Sequence, residues 1–360
     1  MTKLLHLDQF ERLPRAVRAS MVEGLSTAID LVADAAAPSH AFLRHGWFAA
    51  AIAAYGGRPR TLMVSADDRP LLALPMVPIS PALAGVVTVP GSYWPFRGFP
   101  LARDAGMEVL EAALDALTGS VRALRIGPVY DGDAAVAPLI EAAHARGWAV
   151  VSRFVASSFL LDMAAAQAEG TWPRNSTLRK NRFHEKHLGE HGALEWRFLS
   201  DADWPAAFDD LAAVEWSSWI ATRTDGSDAK FTRAGHGAFW RAAAADPVLA
   251  AMFRAALLTV DGKPAAFSFD IDAGPLKYAI ANSYDPEFAK HSPGKLLYYR
   301  NLVDALGRGI TKVDWGAGDS GYKRTIGAEE GPAIRDWLLL RPGLPAALAP
   351  AINLIWRARS

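Results

Sequence analysis

Cysteine is absent from the 360 residues, which excludes disulfides, thiolate-bound metals and a cysteine nucleophile together. Net charge is absent as well. The 38 Lys and Arg balance 38 Asp and Glu, which disfavours a globally basic nucleic-acid binder and DNA as a partner. No uninterrupted apolar run reaches spanning length, and the first twenty residues are too charged for a secretory signal. A soluble, cytoplasmic protein is therefore expected. No H-E-x-x-H, Walker or G-x-S-x-G pattern occurs. His184, His187 and His191 fall at helical spacings on an arginine-rich stretch; they read as solvated, and no metal is expected.

What is present is a chain that is 51% hydrophobic, enough for a sizeable core and, at this length, about two domains. Residues up to about 58 read mainly as helix. The period then changes: 61–65 and 71–79 look like strands joined by the turn 67–70, and 86–89 like another short strand. Helical spacing over 107–117 and 134–145 alternates with strand character at 121–126 and 148–155, a mixed α/β layer. A comparable order returns later, with a hairpin of 255–260 and 265–271 about Asp261-Gly262-Lys263-Pro264. Together these fit two copies of one α/β unit.

The stretch 284–327 holds most of the candidate chemistry. Lys290-His291-Ser292-Pro293-Gly294-Lys295 precedes a helical periodicity; Ser292 suits the N-cap and Pro293 the first turn. Backbone N–H groups, the positive helix end and two lysines would gather there, an arrangement that attracts phosphate. We assign phosphate holding to Lys290, Ser292, Pro293, Gly294 and Lys295. After a strand at 310–315 come Gly316, Gly318, Asp319 and Gly321, then Tyr322-Lys323-Arg324. A tyrosine stays protonated at neutral pH, so Tyr322 is a candidate proton donor, with Asp319 as helix cap or support.

The runs Y-D-P-E-F-x-x-x-S-P-G-K-L-L, R-G-I-x-x-V-D-W-G and G-D-x-x-Y-K-R-x-x-G resemble the second half of a GNAT-superfamily acyltransferase, and most closely the FemAB-like branch linked to polysaccharide and cell-envelope biosynthesis. The resemblance implies an α/β (α+β) fold of two tandem GNAT-like units, each a mixed, mostly antiparallel twisted sheet flanked by helices. The expected parts are an acceptor-side unit (1–165), a basic connecting helix (166–192), a donor-binding unit (193–342) and a tail (343–360). It also implies acetyl-CoA or another acyl-CoA as donor, held at the Ser292 loop, Tyr322 as general acid, and backbone N–H groups of a splayed strand at 278–282 polarising the carbonyl. The acceptor implied is an amino group, or a hydroxyl, of a sugar or envelope precursor. The same branch includes enzymes that take aminoacyl-tRNA, which keeps tRNA as an alternative donor. A non-catalytic saccharide-binding module is the alternative from another class.

For a general base the candidates are Glu215, beside Trp216 and Trp219, and Asp270, with His184 or Asp319 behind them; an apolar wall raises a carboxylate pKa. Arg179, Arg182 and Lys186 share one helix face and suit an anionic acceptor, such as a nucleotide-linked sugar or a lipid-linked phosphate. In the loop 91–98, Tyr93, Trp94 and Arg97 could stack on and pair with a saccharide. Lys323 is a further candidate contact. The tail 344–356 is apolar and ends near Arg357 and Arg359. It reads as docked on the protein's own surface, with peripheral membrane contact as the alternative.

Overall fold

The computed structural model describes residues 16–79, 85–92, 96–218, 229–233, 236–318 and 321–357. Among them twelve strands join into one sheet: β1 (Val17–Glu23), β2 (Arg60–Ala66), β3 (Arg69–Pro78), β4 (Val86–Thr88), β5 (Ala123–Tyr130), β6 (Ala149–Asp162), β7 (Leu194–Ser200), β8 (Phe253–Val260), β9 (Lys263–Ala273), β10 (Leu276–Tyr284), β11 (Lys312–Ala317) and β12 (Glu329–Leu340). Their spatial order is β1-β2-β3-β4-β5-β12-β6-β11-β10-β9-β8-β7. The architecture is the mixed, mostly antiparallel α/β layer expected.

Two parallel pairs interrupt the antiparallel pattern, β4 with β5 and β10 with β11. A parallel pair needs a crossover, and helices supply it in both places: Met107–Thr118 and Pro293–Gly307. The hairpins β2–β3 and β8–β9 close through left-handed pairs, Asp67 with Asp68 and Asp261 with Gly262, the backbone that a two-residue turn between twisted strands requires.

The two halves interlock. β12 lies between β5 and β6 although it follows β11 in the chain. β6 pairs β12 along most of its length and β11 at its end, from Ser158 to Asp162. One aromatic core, including Phe42, Trp47, Phe96, Trp240, Phe269 and Tyr278, spans both halves.

The first 58 residues are less helical than their periodicity predicts. Helices cover Ile29–Ala35 and His45–Tyr55, but Val17–Glu23 is a strand in register with Arg60–Ala66. Its residues are nearly all exposed. Pairing to the edge of β2, a tertiary event, makes it a strand, and no local pattern reports that.

Candidate active site

β10 and β11 are in register only from Leu276 opposite Lys312 to Tyr278 opposite Asp314. Beyond that they part. β10 follows β9 to Tyr284, with an irregularity between Ala279 and Ala281. β11 turns away through Gly316 and Gly318, both at positive φ, where a side chain would be strained. The result is a V between two parallel strands, with the crossover helix on one face. Tyr278 and Asp314, the last paired residues, point to the opposite face. There they floor a cleft of about 860 Å³ whose walls include His40, Phe96, Tyr130, Asp133, Trp172 and Arg174.

Asp314 sits at the apex of the V, almost fully buried. Burial pushes its pKa up to about 6, against the opposing pull of the Tyr130 hydroxyl, the Gly316 N–H at 2.8 Å and the charge of Lys323. A carboxylate with such a value can take a proton at neutral pH. Burial, reinforced by Asp314, holds the phenols of Tyr130 and Tyr278 well above 10, so both remain neutral donors. Tyr278 donates to the Ser39 carbonyl at 3.1 Å. His40 lies 3.0 Å from the Asp133 carboxylate through Nε2 and 3.0 Å from Ser39 Oγ through Nδ1. Burial alone would raise the Asp133 pKa. Attraction to His40, the bond to it and the N–H groups of Val136 and Ala135 bring it below the usual carboxylate range. The wall opposite Asp314 is thus tied down by charge-assisted bonds.

The loop before the crossover helix has the expected exposed lysines, Lys290 and Lys295, but not the expected cap. Ser292 occupies the N-cap position in left-handed backbone and its side chain makes no capping bond; its carbonyl accepts from Lys295 and Leu296 instead. Pro293 and Gly294 are buried. A Cβ on Gly294 would come within 3.0 Å of Asn282 Oδ1 and 3.1 Å of Tyr284, so glycine here lets the helix abut the end of β10. Lys295 also borders a crevice of only about 20 Å³ with Tyr298, Tyr299 and Thr325. Trp172, Arg174 and Ile326 line both this crevice and the main cleft, so the lysine loop adjoins the cleft through shared walls.

Tyr322 is exposed at the start of the Tyr322–Ile326 helix, edge-on to Trp315 at 5.8 Å. Because strand side chains alternate, Trp315 points to the face opposite Asp314. Tyr322 and Asp314 therefore flank β11 from its two sides.

Other expectations are corrected. Lys323 is buried, and its ammonium donates to the carbonyls of Gly316, Ala317 and Gly318 at 3.2, 2.9 and 2.6 Å; it straps the glycine turn. Glu215 accepts from the N–H groups of Lys230 and Phe231, both at 2.8 Å, and does not line the cleft. Burial raises its pKa, but Trp216 is turned to solvent and makes no wall for it. Asp270 lies on the crossover-helix side, fully buried and bonded to Lys277 and Asn301. Arg97 bonds the Ser92 carbonyl of its own loop, and its neighbour Phe96 reaches the cleft instead. Arg179, Arg182 and Lys186 are exposed on the Asn175–Leu188 helix, outside the cleft lining. Arg174, just before that helix, is the arginine that borders the cleft. His187 pairs with Glu190, and His191 lies 2.9 Å from His291. Tyr93, Trp94 and Asp319 fall outside the described residues. Among the described residues no cluster of three or more metal-ligating side chains occurs.

Residues 174–324 match the family model described as an acetyltransferase (GNAT) domain. A search of curated proteins by sequence finds no match. Among solved structures, FemX superposes with a TM-score of 0.59 at 11% identity, covering 93% of this chain and 99% of FemX. A conserved protein of unknown function from Bacteroides thetaiotaomicron gives 0.56 at 12% identity, over 89% of this chain and 100% of that one. The C-terminal domain of an Agrobacterium fabrum protein described as a lysylphosphatidylglycerol synthetase gives 0.54 at 13% identity, over 91% and 95%. At such identities the likeness is one of fold. The sequence match to the acetyltransferase (GNAT) domain belongs to residues 174–324, and over the rest of the chain the likeness is one of fold.

Proposed function

We propose that the protein transfers an acyl group from a coenzyme A thioester to an amino group of a sugar or other cell-envelope precursor held in the cleft. The observation that carries this reading is Asp314, a buried carboxylate with a pKa near 6 at the apex of the β10–β11 opening. The bound ammonium first gives one proton to water, leaving the neutral amine; Asp314 takes a second as the C–N bond forms, and Tyr322 gives one to the sulfur as the C–S bond breaks. Lys290 and Lys295 hold the donor's phosphates. Side chains lining the cleft include Asp131, Glu169, Glu329 and Glu330 against Arg174 and Lys312, a balance that favours an acceptor arriving as an ammonium over an anionic one.

Thermal melting tests the reading. Saturating acetyl-CoA or a longer acyl-CoA raises the melting temperature by a few degrees, since a ligand at a hundred times its Kd adds about 2.7 kcal/mol. A rise with aminoacyl-tRNA and none with any coenzyme A thioester transfers the donor role to tRNA; a rise with saccharide alone leaves a binding module.

Lys295→Glu, measured by calorimetry, weakens coenzyme A binding about ten-fold, because it replaces attraction to phosphate by repulsion. Equal affinity would move the phosphate site elsewhere. Tyr322→Phe lowers kcat about 10²-fold and leaves donor affinity unchanged; an unaltered kcat removes the tyrosine from the proton transfer.

A further inference from the structure

The tail folds as two short helices, Leu344–Ala347 and Ala349–Arg357. Their inner side is docked on the protein. Ala349 and Ile352 pack on Ala123, Val151, Leu338 and Leu340 of β5, β6 and β12, and Trp356 lies beneath the guanidinium groups of Arg125 and Arg153.

The outer side ought then to be polar, as on a surface helix that faces only water. It is apolar. Leu344 is 73% exposed, Leu348 49%, Leu354 75% and Ile355 59%, and Ala347 and Ala351 complete the same helical stripe. No charged residue occurs from 344 to 356, while 341–360 holds Arg341, Arg357 and Arg359 and no acid. Among the described residues no helix is long and apolar enough to cross a membrane.

We propose that this stripe is the contact surface for an anionic lipid bilayer, into whose headgroup region the four large side chains insert, the positive charge of the 341–360 sequence favouring anionic lipid. Charge decides against a second copy of the chain. A two-fold interface centred on the stripe would bring the arginine-flanked segments of both copies together with no acid between them. Four exposed side chains also fall short of the roughly 800 Å² per partner that a stable dimer buries. The surface lies on the β5–β12–β6 face and shares no residue with the cleft, so the inference stands apart from the proposed chemistry.

The test is co-sedimentation of the full chain with phosphatidylcholine vesicles, with and without phosphatidylglycerol. Binding is expected to the anionic vesicles, weakening with added salt, and little to phosphatidylcholine alone. The double variant Leu354→Glu/Ile355→Glu partitions about ten-fold or more less strongly, with an unchanged melting temperature because both side chains already face solvent. Leu348→Glu, from the adjoining turn, repeats the loss. Failure to sediment with phosphatidylglycerol vesicles overturns the proposal, as does a double variant that binds like the parent. So does a dimer in sedimentation velocity that the double variant dissolves, since a second copy would then be the occupant.

Discussion

Asp314→Asn lowers kcat/KM by about 10²- to 10⁴-fold, the range expected when a positioned base is lost. The wild-type pH profile rises to a plateau with a midpoint near 6, the value burial sets for Asp314, and the variant lacks that limb. Stability moves the other way. The folded-state pKa is about 6 and the unfolded one near 3.8, so between these values the folded chain binds more protons. Wild-type stability consequently falls as pH rises through that window and stays at the lower level above it. A shift of about two units corresponds to a ceiling of ~3 kcal/mol, so at pH 8 the asparagine variant should unfold at higher denaturant than wild type by up to that much. Loss of turnover with a gain in stability marks a residue kept for chemistry. A variant that is less stable and still active would make Asp314 structural and leave the proposed mechanism without its base.

Lys277→Met gives the largest expected loss of stability, about 3–5 kcal/mol, read as a lower midpoint of chemical denaturation. The Lys277 side chain is inaccessible to solvent, 3.1 Å from Asp270 and 3.0 Å from Asp272. Asn301 of the crossover helix bonds the same Asp270 oxygen at 2.6 Å. Removing the Lys277 ammonium from Asp270 leaves a carboxylate that burial already pushes towards the neutral form. The deficit should shrink as pH falls, because protonating Asp270 removes the unpaired charge, and adding Asp270→Asn should restore part of the loss. A single variant as stable as wild type would show that the cluster does not hold the crossover helix on the sheet.

Much of the fold was legible because local chemistry and tertiary structure agree. The turns at Asp67-Asp68 and Asp261-Gly262 announce their hairpins, and Pro293 followed by apolar spacing announces the crossover helix. β1 was not legible, since its exposed side chains carry no core-facing alternation. In the proposed site, the two lysines and Tyr322 stand in the motif itself. Asp314 stands in the V-D-W-G run of that motif, which by itself gives it no role. A lone carboxylate between Val313 and Trp315 in a short buried strand was the available signal, because burying a charge there is costly without a task. Glu215 instead accepts from the backbone of Lys230 and Phe231, and Trp216 faces solvent, neither of which its neighbours in sequence report. Arg97 and Lys323 are charged side chains bonded to looped backbone carbonyls, and Asp270 is bonded to the side chains of Lys277 and Asn301; these partners show only once the chain has closed on itself. His40 and Asp133 are 93 residues apart in sequence, and nothing local joins them.

The placement of β12 has a consequence for how the molecule forms. As the ribosome delivers the chain in order, β5 and β6 emerge and must wait, each with a row of amide and carbonyl groups unmatched, until Glu329–Leu340 arrives to fill the gap between them. Pairings of such long sequence separation are slow to form, and unmatched strand edges invite association with other chains. The nascent protein is therefore vulnerable in the interval just before β12 is made.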